Sequence, residues 1–253
     1  MSQARRHRGD IGSKSGMTRR SREALAGPVP DVPVPGLRER NKVDKLRRIK
    51  ASARELFIAK GFDDTTTRDI AQRAGVGIGT VFLYADNKRD LLFLVANDEL
   101  EQATIRAAAN IRDDTSLLDN LLTVFRHHYE FFAAQPELSR MMLREMTFYD
   151  TGRQATRFQA TRERVIRLVG EAVEMAVQAG TIGSTEQPGF IGWVAFSIYQ
   201  VELRQWLASG NADLTRAMAG LKRALELLIC GLEPTKQALR IAKPVRRKKP
   251  SRP

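Results

Sequence analysis

His127, His128 and Glu130 are the nearest this chain comes to a metal-ligating cluster. Neighbouring histidines on a helix project about 100° apart and cannot share one ion. The same-face pair that remains, His127 with Glu130, supplies two ligands, and two do not make a site. No nucleophile stands beside a base at informative spacing, no carboxylates form a dyad, and Gly77-Ile78-Gly79 is too short for a phosphate loop. The sequence therefore predicts neither catalysis, nor a metal, nor a cofactor. Cys230 is the one cysteine, so no disulfide framework or cysteine metal site is possible within one chain. The stretch with chemistry to offer is IAQRAGVGIGTVFLYA, residues 70–85, with glycines at 75, 77 and 79. Each glycine weakens a helix interior by about 1 kcal/mol relative to alanine, so three of them between helical segments require a reason. Gly75 can supply a left-handed turn, and Gly77 can sit where the next helix is capped. Gly79, in that helix's first turn, lets backbone amides approach a phosphate. Two short helices around such a turn make a helix-turn-helix; an ordinary tight corner between packed helices uses the same composition.

Apolar periodicity and punctuation by Gly and Pro predict an all-α chain without strands. A first helix runs from Arg40 to Lys60, with Ile49, Ala53, Leu56 and Phe57 inward and Gly61 as its stop. Thr66 caps the second, with Asp69 completing a capping box, and Gly75 ends it. A short third helix covers Ile78 to Tyr84. Asn87 caps a fourth with Asp90 as its box partner. Longer helices follow at 115–134, 136–148, 152–179, 188–208 and 211–231, about nine in all. The expected domains are a tail at 1–40, a helix-turn-helix domain at 41–104, a second helical domain at 105–231, and a second tail at 232–253.

The formal net charge of +13 is unevenly placed. Residues 1–40 hold 9 basic and 4 acidic side chains, and residues 232–253 hold 8 and 1. Residues 41–95 hold 11 and 7, whereas residues 96–231 hold 14 and 17. The tails thus dominate, and they offer either salt-sensitive affinity for DNA or solubility alone. KLRRIK, residues 45–50, lies along a DNA backbone or forms a charged helix face. No apolar run is long enough for a membrane span, and no secretory signal follows the basic N-terminus, so a soluble protein of a reducing compartment is expected. Met17 offers a second translation start.

ARELFIAKGFDD followed by TTTRDIAQRAGVGIGTVFLYADNKRDLL resembles the N-terminal domain of the TetR family of bacterial transcriptional repressors. The matching features are Gly61 and Phe62, Thr66, Ile70 and Ala71, Ala74 to Val76, Gly79 and Thr80, Phe82 and Tyr84, and Lys88 with Leu91. The resemblance implies a homodimer placing two recognition helices in successive major grooves of a palindromic double-stranded operator. By position, Thr66, Lys88 and Tyr84 would hold phosphates, Thr67 and Arg68 would make edge contacts, and Gly77, Ile78, Gly79, Thr80 and Phe82 would face the groove. Gly77, Phe82 and Ala85 depart from the family's usual serine-like and aromatic residues, which predicts fewer polar contacts and leaves the packing of Ala85 open.

The second module is rich in Met and aromatic side chains. His127, Phe131, Met142, Met146, Tyr149, Phe158, Trp193 and Phe196 form a candidate lining for a small apolar effector, with plain core as the other reading. Arg144 and Glu145 would orient it or pair at the surface. FIGWVAFSIYQV, residues 190–201, is apolar around nearly its whole circumference and needs partners on two sides. Ile191, Val194, Ile198 and Val201, with Leu214, Met218, Leu221, Leu225 and Leu228 of the next helix, would make a four-helix dimer interface, unless they are buried within one chain. The expected function is a ligand-responsive regulator, a dimeric repressor released from its operator by an apolar effector. The alternative is a helical nucleoid-associated or interaction protein that binds DNA mainly through its tails.

Overall fold

A computed structural model describes residues 36–210 and 213–231; the expected tails, beyond Gly36 to Arg40, lie outside the described residues. Among these residues there are nine helices and no strand: α1 (Leu37–Lys60), α2 (Thr67–Ala74), α3 (Ile78–Val81), α4 (Lys88–Ala109), α5 (Leu117–Ala134), α6 (Pro136–Glu145), α7 (Ala155–Gln178), α8 (Pro188–Ala208) and α9 (Leu214–Cys230). From Val43 onward the described residues form one compact unit.

Local signals set most of the helix ends. The Thr66 hydroxyl accepts from the Asp69 amide at 3.1 Å, and the Asp69 carboxylate accepts from the Thr66 amide at 3.2 Å. That reciprocal pair draws the Asp69 carboxyl below the usual carboxylate range. Gly75 ends α2 at φ 62, a left-handed geometry that a Cβ would strain. Ser116 and Asp213 cap α5 and α9 through their side chains, and Pro136 and Pro188 start α6 and α8. The helix expected to run to Tyr84 is one turn only; beyond Val81 the chain continues in tight turns, with the Leu83 amide on the Thr80 carbonyl and the Tyr84 amide on the Val81 carbonyl.

Two apolar cores organise the molecule. The first gathers Ile49, Phe57, Ile70, Val81, Leu91 and Leu92, and it also takes in Leu138, Met142, Tyr149 and Phe158 from α6 and α7. Ala85, between α3 and α4 in the chain, is buried in it. The second is built on Phe125, Tyr129, Val169, Tyr199, Leu203 and Leu221. Phe125 stacks on Tyr199 with ring centres 4.6 Å apart. Here α7 and α8 meet closely at Gly170 and Gly192. Among the described residues no helix is long and apolar enough to cross a membrane.

Candidate nucleic-acid interface

The α2–turn–α3 unit rests on α1 and α4 through Ile70, Ala71, Ala74 and Val81, all buried. Its opposite side is open. Thr66, Arg68, Gly77 and Gly79 are exposed, Thr67 and Thr80 are half-buried, and Ile78 and Phe82 are 42% and 44% exposed. Leu83, which sequence reasoning passed over, is 68% exposed beside them. The only hint of it was its place one residue past Phe82 in a helix that ends early. Nothing lies within 4 Å of a Cβ built on Gly77 or Gly79, so any approaching surface reaches the backbone there. Arg68 makes no ion pair among the described residues.

Lys88 is half-buried and already engaged: its Nζ donates to the Asp63 carbonyl at 2.9 Å and sits 4.6 Å above the Phe62 ring. Its charge therefore lies at the junction of the α1–α2 turn with α4. Tyr84, four residues earlier, is half-buried too. The basic run 45–50 divides its labour. Arg48 donates to the Ala74 carbonyl at 2.7 Å and so closes the C-terminal end of α2 from the neighbouring helix, while also pairing with Asp44 at 3.1 Å. Lys50 pairs with Asp98, and Lys45 is exposed. Replacing Arg48 by methionine keeps the aliphatic stem but leaves the last carbonyls of α2 without their donor. We expect a loss of about 1–2 kcal/mol in urea unfolding. An unchanged midpoint would show that water serves those carbonyls equally well.

Away from this face, several ion pairs tie the segment 144–157 to α4 and the turns around it. Arg144 grips Asp63 with two bonds of 3.1 Å, and Arg89 reaches Glu145 at 3.2 Å. Arg153 pairs with Asp86 at 2.7 Å. Arg157 pairs with Glu101 at 2.7 Å and with Asp98 at 2.9 Å. Arg144 and Glu145 thus pair with each other, 3.0 Å apart, the arginine exposed and the glutamate largely covered, and neither lines the cavity described below.

Between α4, α5, α7 and α8 lies a small apolar cavity of about 30 Å³, lined by Leu100, His128, Phe132, Met146, Phe158, Phe196 and Tyr199 among others. Of the expected effector lining it brings together Met146, Phe158 and Phe196. The others lie elsewhere, and the correction follows from which way each helix face turns. Trp193 is 50% exposed and stacks on Phe190, so it points outward. Met142 and Tyr149 belong to the first core, and Phe131 packs edge-on to Phe132 outside the cavity. His127 pairs loosely with Glu130 at 3.5 Å, while the cavity histidine is its neighbour His128. The signal was available: His128 falls four residues after Val124 and four before Phe132, on the buried face of α5. Arg162 closes the cavity's rim, its guanidinium 5.4 Å over the Phe196 ring.

His128 is fully buried between the Val124 carbonyl at 2.9 Å from Nδ1 and the Thr104 hydroxyl at 3.1 Å from Nε2. A carbonyl can only accept, so the neutral ring carries its proton on Nδ1, and Nε2 shares the single Thr104 hydroxyl proton with the Leu100 carbonyl, 3.0 Å from the same oxygen. Burial is the main cause that pushes its pKa down to about 4. With the unfolded value near 6.5, the neutral ring's contribution is complete above that pH and is lost as the pH falls toward 4. Lowering the pH from 7.5 to 4.5 should therefore cost the protein on the order of 2–3 kcal/mol more than it costs His128→Gln. Parallel urea titrations that fall equally for both chains would contradict this.

On the opposite side of the second core, α8 leaves Phe190, Trp193 and Val201 half exposed, and α9 leaves Leu227 so. Ile191, Val194, Ile198, Leu214 and Leu228 are partly covered. Met218, Leu221 and Leu225, expected at a dimer face, are instead buried in the chain's own core at 6%, 0% and 0% exposure. The stripe they form is real, but it meets α5 and α8 of the same chain, and the outward face of α9 is the neighbouring one. Among the described residues no three His, Cys, Asp or Glu side chains gather as a metal site.

With this geometry in place, comparison with known proteins shows what the chain is similar to. Residues 49–95 match the family described as bacterial regulatory proteins, tetR family, so this segment carries the TetR-type helix-turn-helix. The fatty acid metabolism regulator protein of Bacillus subtilis (strain 168) is 27% identical over 100 residues, which cover 40% of this chain and 52% of that protein. The chain thus spans about half the length of that relative. FadR of Bacillus subtilis in complex with stearoyl-CoA superposes with a TM-score of 0.60 at 20% identity, covering 74% of this chain and 98% of that one. FadR of Thermus thermophilus, a TetR-family repressor in complex with lauroyl-CoA, superposes at 0.57 and 22% identity, covering 82% and 99%. At such identities these structures establish the fold, which is that of TetR-family regulators.

Proposed function

We propose that the chain is a DNA-binding transcriptional regulator, a dimeric repressor whose hold on a palindromic operator is released by a long-chain acyl thioester. The observation that carries the DNA reading is the capped α2–turn–α3 unit, braced from behind and bare in front, with Ile78, Phe82 and Leu83 turned outward. Large apolar side chains grouped on an exposed face call for a partner surface, and thymine methyl groups in a major groove provide one. Thr66, Thr67, Arg68 and Thr80 would supply polar contacts, and Gly77 and Gly79 would bring amides close to phosphate. Lys88 and Tyr84 would hold the backbone from the start of α4.

Support for the effector class comes from the cavity together with the relatives. Its walls suit an aliphatic chain, and Arg162 at the rim suits a phosphate or carboxylate headgroup. The acyl-CoA complexes of the two FadR structures point to the same chemistry. An acyl chain is far larger than 30 Å³, so its entry must part α5, α7 and α8. The dimer would form through the exposed side of α8 with the outward face of α9, carrying Phe190, Trp193, Val201 and Leu227. Such a protein works in the cytoplasm, on the nucleoid.

Selection of genomic fragments by the purified full chain tests this reading. Bound fragments should share a two-fold symmetric site and release the protein when lauroyl-CoA is added. Removing residues 1–35 and 232–253 should preserve that specificity. Collapse of binding on tail removal would instead favour a protein that holds DNA through its basic ends.

A further inference from the structure

Asp90 begins α4 and is completely buried. From the sequence it serves as a local capping group, and the structure corrects this. Its amide does donate to Asn87 at 2.9 Å, but its carboxylate turns away to a distant loop. Oδ2 accepts from the amides of Asp86 and Arg153, both at 2.9 Å. Oδ1 accepts from the Gln154 amide at 2.9 Å and from the Tyr149 hydroxyl. Three of these four donors come from residues 149–154, the link between α6 and α7.

That link is shaped for the purpose. Its backbone is left-handed at Phe148, φ 56, and at Gly152, φ 122, an arrangement that a non-glycine residue adopts only under strain. The turn at Phe148 leaves that ring 90% exposed and sends Tyr149 inward, where it stacks on Phe93 of α4 with ring centres 4.1 Å apart. At Gly152 a Cβ would lie 2.5 Å from Asp90 Oδ1, so glycine is required for the loop to close on the carboxylate. Gln154 continues the contact, donating to the Tyr84 carbonyl at 3.0 Å and accepting from Asn97 at 3.1 Å. The two ends of the link both reach the cavity: Met146 precedes it, and Phe158 follows it, 4.7 Å from Phe93.

We infer that Asp90, Tyr149 and Gly152 form a latch that positions the DNA reader, holding the start of α4 with Lys88 and Tyr84 in the operator-competent pose. This rests on the DNA-reading function proposed above. The latch is a buried carboxylate whose donors are supplied by another part of the chain. Its two ends are set by Phe158 and Met146, which line the cavity. A chain that fills the cavity displaces those two side chains, withdraws the Tyr149 hydroxyl and the loop amides, and leaves α4 free to swing. Ligand occupancy is thereby converted into a change at the reader.

The test uses the full chain and two readouts. Operator affinity is measured by fluorescence anisotropy on a selected fragment for wild type, Tyr149→Phe, Asp90→Asn and the double variant. Tyr149→Phe removes one hydroxyl and keeps the ring on Phe93. In parallel, spin labels on Gln72→Cys in α2 and Glu171→Cys in α7, with Cys230→Ser, report the distance between reader and effector helices without any DNA. We expect each single variant to weaken operator binding about tenfold, the double variant to be no worse than the weaker single, and the distance distribution to broaden or shift in all three. Affinities within twofold of wild type, or single effects that multiply in the double variant, would overturn the inference. So would weakened binding with an unchanged distance distribution, since a merely structural hydrogen bond behaves that way. If wild type selects no operator, the proposed function fails, and the label distances still decide whether the latch positions the reader.

Discussion

Gly192→Ala is expected to destabilise the protein by about 2 kcal/mol, although glycine to alanine inside a helix ordinarily stabilises by up to 1 kcal/mol. The reversal comes from the crossing of α7 and α8. A methyl at position 192 would stand 2.7 Å from the Gly170 nitrogen, 2.9 Å from its Cα and 3.3 Å from the Ile166 carbonyl oxygen. These are backbone atoms and cannot swing aside, so the helices must separate and loosen Phe196 and Tyr199 from the core between them. For a domain of this size the melting temperature should fall by roughly 5 °C. Gly189→Ala, in the first turn of the same helix with nothing within 4 Å of the added carbon, is the control and should be neutral or slightly stabilising. Equal melting temperatures for Gly192→Ala and wild type would mean that the two helices do not approach as closely as described.

Gly79→Glu should have the opposite profile: a normal fold and operator affinity reduced by about 100-fold or more. Beyond the neighbouring backbone no atom lies within 4 Å of a Cβ built at the position, and the residue is exposed, so a longer side chain extends toward solvent in the free protein. On DNA the same side chain would hold the backbone away from the groove and set a carboxylate against phosphates, a like-charge contact costing several kcal/mol. Because a dimer carries the change twice, the loss compounds. The check pairs a melting curve with a binding titration; near-normal affinity would place position 79 away from the DNA.

How far the sequence already contained this picture depends on the range of each interaction. The helix-turn-helix was legible because its signals are local. Thr66 and Asp69 are three residues apart, and Gly75 needs only its own φ to end α2. Asp90 looks like Asp69 in sequence, yet three of the four donors to its carboxylate sit 59 to 64 residues downstream, and no spacing rule reaches that far. Arg48 is a similar case, capping a helix whose end lies 26 residues away. In the second module periodicity identified helices and their apolar faces, but it could not say which partner each face meets. Met218, Leu221 and Leu225 look the same whether they seal a core or a dimer. His128 was readable from its place on the face of Val124 and Phe132, and the adjacency of His127 obscured it.

The most direct test of the account is a photo-crosslinking group at Thr80, carried by the full chain on a genomic fragment that the protein itself has selected. If α3 reads DNA, crosslinks will fall on bases in the major groove at two symmetry-related places separated by about one helical turn or a multiple of it. Crosslinks absent from Thr80 while the fragment remains bound, with contacts confined to residues 1–35 and 232–253, would contradict it.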